Sequence, residues 1–189
     1  MSHAQSPPIA FASPTVLKNG DQKWRVAGLL HRLDGPAVID ANGNQEWFFE
    51  GTHHRLDGPA IIRTDGIRIW IFHGKYHRLD GPAVIGTDGS EEWYIDDKLH
   101  RLDGPAVLGM DGSQEWWIHG HNITYLSAHQ KLAYIRAYQQ SINDASLSVV
   151  SQSSQENTVS KKAVYVSKNV PAYARCFCAS ISNFVRKWR

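Results

Sequence analysis

The heptapeptide HRLDGPA occurs four times, beginning at His31, His54, His77 and His100. The step is 23 residues each time, with no insertion or deletion. Three more columns keep it: Trp24, Trp47, Trp70, Trp93 and Trp116; Gly20, Gly43, Gly66, Gly89 and Gly112; and Gly28, Gly51, Gly74, Asp97 and Gly120. A fixed period of this length marks a repeat architecture, in which units that cannot bury an apolar face alone stack on near-identical neighbours.

Each unit reads as a β-hairpin. PAVI and EWFF are short β-prone runs, and Asn42-Gly43, Asp65-Gly66, Asp88-Gly89 and Asp111-Gly112 are the dipeptides of tight two-residue turns. Residues 36–40 are predicted to turn into 45–50, and the Asp-Gly-Pro of HRLDGPA then leads into the next hairpin. The stretch SPTVLKNGDQKWRVAG fits the same plan one residue short. The expected fold is therefore mainly β: an elongated meander of about five hairpins in a single twisted sheet over residues 13–121. Residues 1–12 are read as a flexible N-terminus. A lone hairpin is marginal in water, so the tryptophan column and its aliphatic neighbours must supply burial between units.

The 23-residue hairpin unit and its aromatic–x–x–x–Gly portion (Trp47 to Gly51, Trp70 to Gly74, Trp116 to Gly120) resemble the MORN repeat, and more closely its variant form. The HRLDGPA segment departs from the usual MORN unit and resembles a subtype associated with phage, large-virus and bacterial proteins. The resemblance covers residues 13–120. It implies a scaffold or binding platform, with antitoxin-like proteins among the bacterial variants.

A His, an Arg and an Asp within four residues invite an active-site reading. In an extended segment Arg32 and Asp34 share one face, with His31 and Leu33 on the other. A catalytic constellation needs one asymmetric pocket with a separate role for each group, whereas four identical copies suggest a structural ladder of Arg–Asp pairs. The competing reading makes each of Arg32, Arg55, Arg78 and Arg101, with His31, His54, His77 and His100, an anion-holding corner. Each Arg arrives with its own Asp, so the ladder is nearly neutral, which argues against nucleic acid. The tryptophan column is expected to form the spine. Its variable neighbours Phe48, Ile71, Tyr94 and Trp117 are the candidates for partner contact.

After Gly120 the corner motif is lost. Ser127 with Gln130 resembles a capping box, and Ala128, Leu132, Ile135 and Tyr138 have helical spacing, so residues 122–142 are read as a capping helix. Residues 143–160 are Ser-rich and read as a polar linker. Residues 161–189 hold seven Lys and Arg and no acidic residue, while residues 1–160 carry a balance of −5. In this basic strand/helix tail Phe177, Ile181, Phe184 and Trp188 fall on one helical face, with Arg186 and Lys187 towards the edge. Such a segment suits an acidic groove, a peripheral membrane contact or its own domain.

No catalytic motif, cofactor fingerprint or metal-ligand spacing is present in the sequence. Two cysteines as Cys176-Phe177-Cys178 fit a reducing, cytoplasmic setting, and the N-terminus lacks the pattern of a secretory signal. The expectation is a non-enzymatic adaptor without metal or cofactor. It would bind another protein through the ribbon and the basic tail, with room for a homodimer through the open sheet edge. The alternative is an antitoxin-like inhibitor, or a sponge for an anionic ligand such as a nucleotide.

Overall fold

The computed structural model describes residues 13–155. These divide into two compact units, residues 13–98 with 107–113 and residues 99–106 with 114–155.

Nine of the ten strands of the main sheet lie in the first unit, each two residues long, antiparallel and adjacent in chain order. They are Thr15–Val16, Gln22–Lys23, Val38–Ile39, Gln45–Glu46, Ile61–Ile62, Arg68–Ile69, Val84–Ile85, Glu91–Glu92 and Val107–Leu108. The register repeats with the sequence. Val38 faces Glu46, Glu46 faces Ile61, Ile61 faces Ile69, and the row continues through Val84 and Glu92 to Val107. The meander expected from the period is therefore present. The first unit also keeps the full step. The turn closed by Leu17 and Asp21 is built like that closed by Asp40 and Asn44, so no residue is missing there.

Each period makes two hairpins rather than one. The strand expected at 45–50 breaks at the tryptophan, and a second hairpin follows, pairing Phe48–Phe49 with Thr52–His53 and Ile71–Phe72 with Lys75–Tyr76. The turn types are the reverse of those predicted. At Asn42-Gly43 only the glycine has positive φ, and Asp40 Oδ1 accepts from the N–H groups of Asn42 and Asn44, a longer turn ending in a left-handed residue. The true two-residue turns, with two successive positive φ values, lie at Ala27-Gly28, Glu50-Gly51, His73-Gly74, Asp96-Asp97 and His119-Gly120.

The break at tryptophan has a physical use. Trp24, Trp47 and Trp70 each donate N–H to the carbonyl of Ala37, Ala60 or Ala83 at 2.8 Å. Their own carbonyls accept from the N–H of His31, His54 and His77. The alanines are fully buried, which leaves no room for a larger side chain in that column.

In the second unit the hairpin Trp117–Ile118 with His121–Asn122 meets a helix, Ala128–Gln155. The helix opens with the expected capping box: Ser127 N–H donates to Gln130 Oε1 at 2.9 Å, and Gln130 N–H to Ser127 Oγ at 3.3 Å. Ile135 packs with Ile118 and Ile123, and Leu102, Trp116, Leu126 and Tyr138 close around them. Leu132, expected on this face, is exposed, because the inward stripe runs through the buried Ile135 and the half-buried Lys131, Tyr138 and Ile142. The helix also continues to Gln155, through most of the segment read as linker. No described helix is long and apolar enough to cross a membrane.

Candidate functional site

The arginines of the corners are held on every side. Arg32 Nε donates to Asp34 Oδ1 at 2.8 Å and Nη1 to the Pro36 carbonyl at 3.3 Å, while the guanidinium lies 4.1 Å from the Trp24 ring centre. Arg55 does the same with Asp57, Pro59 and Trp47, and Arg78 with Asp80, Pro82 and Trp70, each guanidinium 3.9 Å from its ring. In the second unit Arg101 bonds Asp103 and the Pro105 carbonyl. A Cβ at Gly58 would stand 3.1 Å from Arg55 Cζ and one at Gly81 2.8 Å from Arg78 Cζ, so the motif glycine is the floor on which the guanidinium lies. The Arg32 and Arg55 bonds hold the carboxyls of Asp34 and Asp57 below the usual range.

The histidines lock one repeat to the next. His31 Nδ1 accepts from the N–H of Glu50, His54 Nδ1 from His73 and His100 Nδ1 from His119, at 3.0–3.1 Å. Each donor is the first residue of a two-residue turn and has φ near +50°. Accepting at Nδ1 requires the neutral ring with its proton on Nε2. Burial pushes the His100 imidazole down to about 4, with the neighbouring His119 adding to the effect; His54 is lowered for the same two reasons, with His73 as its neighbour. His77 Nδ1 accepts from the N–H of Asp96 in the same way, at 3.3 Å, and in addition lies 3.1 Å from Asp96 Oδ1, while its Nε2 is buried without a hydrogen-bond partner.

The aromatic candidates are not equivalent. Ile71 is buried at 7% exposure, which removes it as a contact residue. Phe48, Tyr94 and Trp117 are half-buried. The Phe48 ring centre lies 3.9 Å from that of His53, which bonds Glu46. Tyr94 donates its hydroxyl to Glu92 Oε2 at 2.8 Å, and burial and that bond raise its phenol. Trp117 Nε1 donates to Glu115 Oε2 at 2.7 Å. Phe177, Ile181, Phe184, Arg186, Lys187 and Trp188 lie outside the described residues, as do residues 1–12.

The sequence reading passed over the leucine of the motif. Leu33, Leu56 and Leu79 are exposed at 71%, 80% and 43%, although they repeat as strictly as the buried alanines. Only Leu102 finds cover, against the cluster around Ile118. Between the first two corners an open cleft of about 730 Å³ is lined by Leu33, Asp34, Trp47, Phe49, Arg55 and Leu56, among others. The available signal was a strictly repeated apolar residue for which the extended-strand pattern offered no partner. Among the described residues no group of three or more His, Cys, Asp or Glu could hold a metal ion. No protein-family model, curated protein or solved structure matches the chain.

Proposed function

We propose that this chain is a non-enzymatic, MORN-variant-type docking module whose contact surface is the row of motif leucines together with the cleft between the first two corners. The observation that carries the reading is the exposure of Leu33, Leu56 and Leu79, one per period, on a scaffold in which the other motif residues serve packing. Isolated exposed apolar residues need no explanation, but a regularly spaced row beside an aromatic cleft fits a partner surface. Neighbouring strands lie about 4.8 Å apart, so successive leucines offer anchors roughly 10 Å apart. Phe48 and Phe49 extend this surface. The anion-trap reading has less support, since Arg32, Arg55 and Arg78 are each held by an Asp, a carbonyl and a Trp ring.

The test is affinity capture of partners from the native host by the full chain and by its L33S/L56S/L79S variant. The variant is expected to melt at an unchanged temperature and to lose captured protein at least tenfold. Equal capture by both chains would refute the leucine row as the contact surface.

A further inference from the structure

We infer that the His54–His73 pair is a proton-sensing joint in the wall of the cleft between the first two corners, so that docking there belongs to neutral pH and is released by acid. This regulation rests on the reading of the cleft as a docking surface.

The joint follows from one column of the repeat. The residue that donates its N–H to each corner histidine is Glu50, His73, Asp96 and His119 in turn, an acid alternating with a histidine. Every one of these bonds needs an unprotonated Nδ1. At the third corner an imidazolium has a carboxylate at hand, since Asp96 Oδ1 lies 3.1 Å from His77 Nδ1 and takes its proton in a new bond. At the second corner the donor residue offers an imidazole instead, its ring centre 4.3 Å from that of His54. A proton on His54 Nδ1 then sets two donors against each other, and a charge on either ring opposes one on the other. The bond breaks without replacement. Burial and the His73 charge both hold His54 below the ordinary imidazole range, so the joint is closed at neutral pH.

The hairpin after His54 carries His73 and Lys75, the one before it Glu50 and His53, and the cleft beside it the Arg32–Asp34 and Arg55–Asp57 pairs. His53 is bonded to Glu46, and His73 is the group whose charge acts on the His54 ring. His54 and Phe49 both line the cleft. The Phe49 ring centre lies 4.8 Å from that of His31 and 5.9 Å from that of His54, and Phe72 packs on both rings of the joint, at 5.0 and 4.4 Å. Breaking the His54–His73 bond therefore displaces one side chain of the cleft wall and withdraws support from Phe49.

Three measurements on the full chain, each at pH 7.5 and pH 5, test this. Amide exchange, corrected for intrinsic rate, reads the Arg55 N–H on the Ile71 carbonyl and its counterpart at the third corner, the Arg78 N–H on the Tyr94 carbonyl. Protection at Arg55 is expected to fall at least tenfold at pH 5, and at Arg78 less than twofold. A fluorine label on the Phe49 ring is expected to shift over the same pH range. Protein captured from the native host at pH 7.5 is expected to leave at pH 5 at least fivefold faster from the natural chain than from H73D. That variant gives the second corner the acid of the third, at a position where Asp96 shows that Asp accepts the same φ, and it should abolish all three responses. Equal loss of protection at Arg55 and Arg78 overturns the joint, as does an H73D chain that responds like the natural one. A joint that opens while captured protein stays bound overturns the regulation and leaves the docking reading standing. Equal capture by the natural chain and L33S/L56S/L79S defeats the docking reading, and the Arg55 and Phe49 results then decide the joint by themselves.

Discussion

The corner motif shows how closely side-chain volume is specified at single positions. Ala60 has no exposed surface and its carbonyl accepts the Trp47 N–H. Overpacking such a site costs about 1–3 kcal/mol, so A60V is expected to lower the thermal midpoint measurably in a circular-dichroism melt, with no change in the exposed leucines. Gly58→Ala acts differently, since its Cβ must shift the Arg55 guanidinium, stacked on the Trp47 ring, by a few tenths of an ångström. The histidines make stability depend on pH in a stated direction. The folded protein holds His100 at about 4, against roughly 6.5 in an unfolded chain, so folding favours the neutral ring. That contribution is complete above about pH 6.5 and is lost as pH falls towards 4, and His54 acts in the same sense. It amounts to about 3 kcal/mol for His100. Urea unfolding at pH 7.5 and pH 5 is expected to give a lower midpoint at pH 5, and H100Q to flatten the difference.

At the scale of the element, the last hairpin reproduces the corner with different residues. Ile123 takes the place of the motif histidine and is buried. Trp116 N–H, lacking an alanine carbonyl, donates to Thr124 Oγ1 at 2.9 Å. Lys131 from the helix lies 5.0 Å from the Trp116 ring centre, where the earlier repeats place an arginine. The last tryptophan is thus closed off by one hydroxyl and one buried isoleucine from the segment before the helix and one ammonium from the helix itself. T124V removes the acceptor without changing volume and leaves the Trp116 N–H unpaired, a loss of about 1–3 kcal/mol. K131A is expected to cost less, about 0.5–1 kcal/mol. Thermal melts of the two variants should preserve that order; a smaller loss in T124V would contradict the assignment.

For the whole molecule, repetition predicts modularity. Removing residues 47–69 joins Glu46 to Trp70 in the correct column, so the shortened chain is expected to fold with the same spectral signature per residue and a lower melting temperature. Removing one residue fewer shifts every later column and should abolish cooperative melting. The sheet and its repeating register were legible because 23-residue periodicity in Trp, Gly and HRLDGPA admits few other packings, and the capping box at Ser127 was legible because two polar side chains at i and i+3 state their own bonds. The second hairpin in each period was not, since two-residue strands leave too little alternation to read and the break at tryptophan is set by inter-repeat bonds to alanine carbonyls. Nor was the division of the apolar columns between core and surface. Ile71 and Leu56 are both aliphatics in columns set at the same stride, yet in the folded chain the first is buried and the second lies in water. The chemistry of each column and the stride that aligns it are thus written in the chain itself, because stacking identical units needs only local repetition. Which face each column presents is decided in three dimensions, where the Arg–Trp stacks and His–turn bonds fix the rotation of every corner.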